Sequence, residues 1–145
     1  MIILAIDLGK SRTGIAVSDK NEILASPVCV IEEKNPELLL KKILKIIEEY
    51  KVDEIVVGLP KNMDGSEGES AKNARLLGDE LKKISKKNVV MYDERVTTLT
   101  AHNYLNITNT RGKKRKSVID SVAATIILQN YMDFRKNATK KTLSE

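Results

Sequence analysis

The order in which apolar periodicity changes along the chain limits its fold more than any single motif does. The first third reads as strands. Ile2–Ile6 is a continuous apolar run that fits a buried central strand, and Arg12–Ser18 alternates in part, with Ile15 and Val17 on one side. Gly9–Ser11 between them is a tight turn. Asp19-Lys-Asn-Glu22 has hairpin-turn chemistry, so Ile23–Ile31 returns as a third strand, with Pro27 marking an edge or a bulge. The period then switches. Asn35-Pro-Glu37 is a capped helix start, followed at helical spacing by Leu40, Ile43, Leu44 and Ile47. Glu54–Gly58 is a short apolar strand, parallel to the first and ended by Leu59-Pro60. Lys61–Gly68 is expected to be a mobile loop. A helix from Ser66 or Ser70 to Lys87 and a strand over Asn88–Tyr92 come next. A short helix capped by Thr97 or Thr98 reaches Leu105, a polar, basic stretch runs to Lys116, and Ser117–Phe134 is a long apolar helix.

This order, β-β-β-α-β-α-β-α-α, predicts an α/β fold. Its sheet is mixed and five-stranded, three antiparallel strands followed by parallel ones, with helices on both faces. A chain of 145 residues suits one domain, here over 1–135, and 136–145 reads as a tail without apolar periodicity. Five apolar residues before Asp7 are too few for a signal-peptide core or a membrane span. Cys29 is the sole cysteine, so no internal disulfide forms. It is expected to be a small buried residue, and a cytoplasmic location fits.

The net charge of +5 is unevenly distributed. Residues 111–145 hold nine Lys/Arg and three Asp/Glu, a balance of +6, which leaves sixteen against seventeen, or −1, for residues 1–110. A basic segment beside a neutral body fits a polyanionic partner, nucleic acid being the commonest; it also fits a solvated face with a loose tail. With no Trp and only Phe134 among Phe, a stacking platform for single strands is disfavoured. Contacts to backbone phosphates are the expected mode.

Three places carry carboxylates that sit poorly with their surroundings. Asp7 follows the first strand, Asp93 and Glu94 follow Val89–Tyr92, and Asp120 shares a helix face with Ala123, Ala124 and Ile127. Each has a plain structural role open to it. Asp7 can shape the turn towards Gly9, Asp93 or Glu94 can pair with Arg95, and Asp120 can close a capping box with Ser117. Taken together, two acids at the ends of adjacent strands and a third on a packed helix make a hard-oxygen set suited to Mg²⁺ or Mn²⁺. Such ions hydrolyse phosphodiesters. Zinc is disfavoured because His102 is the only histidine, and that residue reads as a surface side chain. In Val57-Gly-Leu-Pro-Lys-Asn-Met-Asp-Gly65, Gly58 permits close backbone approach, and Lys61 and Asn62 can then reach a phosphate. Arg111-Gly-Lys-Lys-Arg-Lys116 places five cations just before the Asp120 helix.

AIDLGKSRTGIAVSD, VGLPKNMDGSEGESA, YDERVTTLTA and the Lys-rich lead into SVIDSVAATIILQNYM together resemble the bacterial YqgF/RuvX family of Holliday-junction-resolvase-like proteins. The four blocks stand in the family's order and cover nearly the whole chain. The resemblance implies an RNase H-like fold and a metal-dependent nuclease, described in bacteria as processing the 5′ end of pre-16S ribosomal RNA. Asp7, Glu94 and Asp120 fall on the family's catalytic and metal-holding acids. Arg12 fits the basic position of the first hairpin, and Arg95, Thr97 and Thr98 match the rest of the Asp-Glu-Arg block. With Lys61, Asn62, Lys113, Lys114, Arg115 and Lys116 these are the expected substrate contacts. Many members of the wider superfamily carry a fourth acid three residues from the last one; those positions here are Ser117 and Ala123. A second metal is therefore expected to be weakly held, or bound only with substrate.

The leading expectation is an endonuclease acting on structured RNA, free or in a ribosomal particle, with Mg²⁺ or Mn²⁺ as cofactor and no membrane partner. The alternative is a resolvase of branched DNA. Resolvases usually act as dimers, so a monomeric or homodimeric state bears on the choice. A non-catalytic RNA- or ribosome-binding protein is a further alternative. An actin-like ATPase would need a second domain.

Overall fold

The computed structural model describes residues 1–93 and 122–136. Its elements are β1 (Ile3–Leu8), β2 (Thr13–Ser18), β3 (Ala25–Ile31), α1 (Pro36–Glu49), β4 (Glu54–Leu59), α2 (Glu69–Ser85) and β5 (Asn88–Asp93). A further helix covers 122–136. The sheet order is β3-β2-β1-β4-β5. The first three strands pair antiparallel, while β1 pairs parallel with β4, and β4 parallel with β5. This is the mixed five-stranded sheet that the sequence predicts.

The central strand β1 is buried on both sides, which is why it reads as an unbroken apolar run. Leu4 and Ile6 pack with Ile15, Ile55 and Val57 under α1 and α2, through Leu39, Ile43, Ile47, Ala71, Ala74 and Leu81. Ile3 and Ala5 face the other way, with Ala16 and Val56, and are covered by Ala124, Ile127, Leu128 and Met132 of the 122–136 helix. Helices thus lie on both faces. Among the described residues no helix is long and apolar enough to cross a membrane.

Local signals set most element ends. The Asn35 side chain accepts from the N–H groups of Glu37 and Leu38 at 2.9 and 3.2 Å, and Pro36 opens α1. The register shifts between Ile15 and Ala16, opposite Cys29 and Pro27, on the edge strand β3. Pro27 thus sits both at an edge and at a bulge. Three expectations are corrected. β3 begins at Ala25, not Ile23, because the Asp19 carboxylate accepts from the N–H groups of Ile23 and Leu24 and keeps both in the turn. Cys29 is half-buried rather than buried because its strand is at the edge, although burial still pushes its thiol pKa up. α2 begins at Glu69 with Gly68 as its cap, since the Ser66 side chain is engaged in the preceding loop.

Candidate active site

Asp7 lies at the C-terminal end of β1. By strand alternation it follows Ile3 and Ala5 onto the face covered by the 122–136 helix. On β2 its cross-strand partner is Gly14. On the other side the parallel register aligns Ile6 with Val57, so Asp7 is level with Gly58, which itself pairs with Tyr92. A half-buried carboxylate is therefore flanked on both neighbouring strands by residues without side chains. Both glycines are buried, so backbone rather than side chain borders Asp7 on either side. Gly14 escaped sequence reasoning because only the β1–β2 register reveals it.

The strand order corrects one expectation. β4 lies between β1 and β5, so the acids following those two strands are not on adjacent strands. The crossover through α1 seats β4 directly against β1, and the one through α2 puts β5 outside it. Asp93 falls in step with Val89 and Met91, which pack on the α1/α2 side, and so lies across the sheet from Asp7.

The β1–β2 turn is fixed by Gly9. Its N–H donates to the Arg12 carbonyl at 2.9 Å, and a Cβ at this position would stand 2.3 Å from that same oxygen. The turn holds Arg12 at the Asp7 end of the sheet. Arg12 Nε stands 3.8 Å from a carboxylate oxygen of Glu32, which is well exposed. A pair this long and solvated contributes little, so a phosphate can displace Glu32. Ser11, Arg12, Glu32, Glu33 and Lys34 line a shallow pocket here. Glu32 and Lys34 were not legible as neighbours of Arg12, because the β2–β3 pairing brings them together.

The connector after β4 was expected to be mobile but is closed by its own bonds. Lys61 bridges to Glu67, the Asn62 N–H donates to the Ser66 carbonyl at 2.8 Å, and Gly65, with φ 89°, donates to the Asn62 carbonyl at 2.8 Å. The Asn62 amide donates to Ser66 Oγ at 2.9 Å, and Asp64 accepts from both the N–H and the hydroxyl of Ser66. Arg75 of α2 grips Glu67 through two bonds of 2.6 and 2.8 Å and holds that carboxyl below its usual range. Lys61 and Asn62 are thus carried on a shaped loop at the same end of the sheet as Asp7.

Glu94, Arg95, Thr97, Thr98, Lys113, Lys114, Arg115, Lys116 and Asp120 lie outside the described residues. Among the described residues no three His, Cys, Asp or Glu side chains form a metal-holding group. Asp7 supplies one oxygen donor of the kind that Mg²⁺ and Mn²⁺ take.

A second acid on the same face, Glu54, sits at the opposite end of β4 and is 7% exposed. It accepts from Asn88 Nδ2 at 2.7 Å and from the Tyr131 hydroxyl at 3.0 Å, with Arg135 Nη1 at 3.5 Å. Arg135 also bonds Glu22 at 2.6 Å and lies over the Tyr131 ring. Burial, reinforced by the bond to Glu54, pushes the Tyr131 hydroxyl pKa up to about 12. This network fastens the 122–136 helix.

Solved structures share the architecture. The chain resembles RuvC of Thermus thermophilus with a TM-score of 0.58 and 13% identity, over 94% of this chain and 97% of that one. It resembles the fowlpox virus Holliday junction resolvase with a TM-score of 0.56 and 14% identity, over 92% and 99%. The fold is RNase H-like. Among curated proteins, one from Halothermothrix orenii is 44% identical over 135 residues, 93% of this chain and 96% of that protein. One from Caldanaerobacter subterraneus subsp. tengcongensis is 41% identical over 140 residues, 95% and 100%. Both carry the name "Putative pre-16S rRNA nuclease". A family model described as "RuvX: Holliday junction resolvase" matches residues 1–134. On this match and these identities, the chain belongs to the RuvX family.

Proposed function

We propose that this chain is a metal-dependent endonuclease that hydrolyses phosphodiester bonds in structured RNA, at the 5′ end of pre-16S ribosomal RNA, in the cytoplasm. Residues 1–135 form its single nuclease domain, and 136–145 a tail. The observation that carries the reading is Asp7, set at the end of the central strand of an RNase H-like sheet between two glycines. The names of relatives more than 40% identical support RNA as substrate. Asp7, Glu94 and Asp120 would hold Mg²⁺ or Mn²⁺. Bound there, one or two such ions would supply an activated water and stabilisation of the leaving oxygen. Arg12 leaves Glu32 for a substrate phosphate and orients the backbone. Lys61 and Asn62, on their shaped loop, bear on the same strand. Arg95, Thr97, Thr98, Lys113, Lys114, Arg115 and Lys116 extend the hold on flanking phosphates.

The family model's description favours a second reading, resolution of four-way DNA junctions. An end-labelled RNA carrying the small-subunit 5′ leader and a four-way junction, each offered to wild type and Asp7→Asn in Mg²⁺, Mn²⁺ and EDTA, separates the two. RNA cuts that need metal and Asp7 support the first reading. Cuts confined to the junction, made by a dimer in solution, support the second. RNA retained but uncut by both proteins turns the reading to a non-catalytic binding protein.

A further inference from the structure

The end of α2 lies far from Asp7 and carries a cluster of positive charge, preceded by Asp79 and Glu80. Lys82, Lys83, Lys86 and Lys87 follow one another with no acid between Leu81 and Asn88. The first three are exposed and Lys87 is half-exposed. A shallow groove between the ends of α1 and α2 brings Lys51 beside Lys87, with Leu44, Ile84 and one acid, Glu48, on its walls. Among the described residues none of these five lysines has an ion-pair partner within 4 Å. The helix dipole favours the two cations in the last turn of α2, Lys82 and Lys83. It does not account for the further cations crowded against them, whose mutual repulsion a polyanion would relieve.

We propose that this patch is a second RNA-binding surface, contacting phosphates of a segment remote from the bond being cut. The proposal rests on RNA being the substrate of the Asp7 site. α2 is 17 residues long, which is about 25 Å, and it packs on the opposite face of the sheet from Asp7. A short oligonucleotide seated at Asp7 does not reach the patch. A long folded RNA, whose segments return around the domain, does. Lysines act here as point charges, so the patch adds affinity for large RNA without reading sequence.

The test combines Lys82→Glu, Lys83→Glu, Lys86→Glu and Lys87→Glu in the full chain. Binding to a folded small-subunit precursor RNA and to an RNA of about 5 nucleotides, about 17 Å long when stacked, is measured across a salt series, with a thermal melt as the folding control. The expected result is at least about a tenfold loss of affinity for the long RNA, with a log–log salt slope shallower by about 3, given about 0.7–0.9 per phosphate contact. Affinity for the short RNA stays unchanged. The corresponding Lys→Gln variant shifts the same way by less. Equal losses on both RNAs, an unchanged long-RNA slope, or no effect of the Gln variant overturns the proposal. If wild type binds the long RNA through the patch yet cuts no RNA, the nuclease reading fails and this surface stands.

Discussion

Two carboxylates occupy the same face of the sheet at opposite ends, and the structure treats them in opposite ways. Glu54 is enclosed by Asn88, Tyr131 and Arg135, partners drawn from β5 and from the 122–136 helix. Asp7, four residues further along the same register and so about 13 Å away, is bracketed by Gly14 and Gly58. One acid is satisfied by side chains and fastens a helix. The other has a glycine level with it on each neighbouring strand. A buried carboxylate is unfavourable unless paired, and Glu54 meets that demand with Asn88 and Tyr131; the two glycines level with Asp7 are what single it out as the candidate catalytic acid.

The sharpest way to break this contrast is to exchange the expected losses. Asp7→Asn should reduce RNA cleavage by on the order of 10²–10³, as expected for losing several kcal/mol of transition-state stabilisation, while the melting temperature stays within a few degrees of wild type. Glu54→Ala should do the reverse. Removing it strands the Tyr131 hydroxyl and the Asn88 amide, while Arg135 keeps Glu22, which costs about 3 kcal/mol in a denaturant titration, with kcat on RNA little changed in the fraction still folded. If Glu54→Ala abolished cleavage at full stability, the two ends would not be separable.

Gly9→Ala sharpens the site end. Its Cβ would clash with the Arg12 carbonyl, so a loss of about 2 kcal/mol is expected from the forced shift. A raised KM should accompany it as Arg12 moves. The smallest effect belongs to Tyr131→Phe, about 1.5 kcal/mol for one hydrogen bond to a buried carboxylate. It carries a pH signature. The folded state holds the Tyr131 proton up to about 12, whereas the unfolded phenol ionises near 10. This stabilisation is therefore complete below pH 10 and is lost as pH rises towards 12. The stability gap between wild type and Tyr131→Phe should close across that window, read by denaturant titrations at stepped pH. A gap constant from pH 8 to 12 would remove Tyr131 from the network.

The sequence alone determined the order of the described elements, the cap at Asn35, Pro27 as an edge or bulge position, Asp7 as an acid ending a buried strand, and the family motifs. These are local facts, set by turn chemistry and by apolar periods of two or 3.6 residues. Tertiary structure decided the rest. It placed β4 between β1 and β5, turned Asp93 to the α1/α2 side, set Gly14 and Gly58 beside Asp7, and closed the 61–67 loop on itself. It also joined Glu54 to Tyr131 across 77 residues and Glu22 to Arg135 across 113. Pairing register and long-range contacts depend on how distant segments pack together, and a local period carries no record of that.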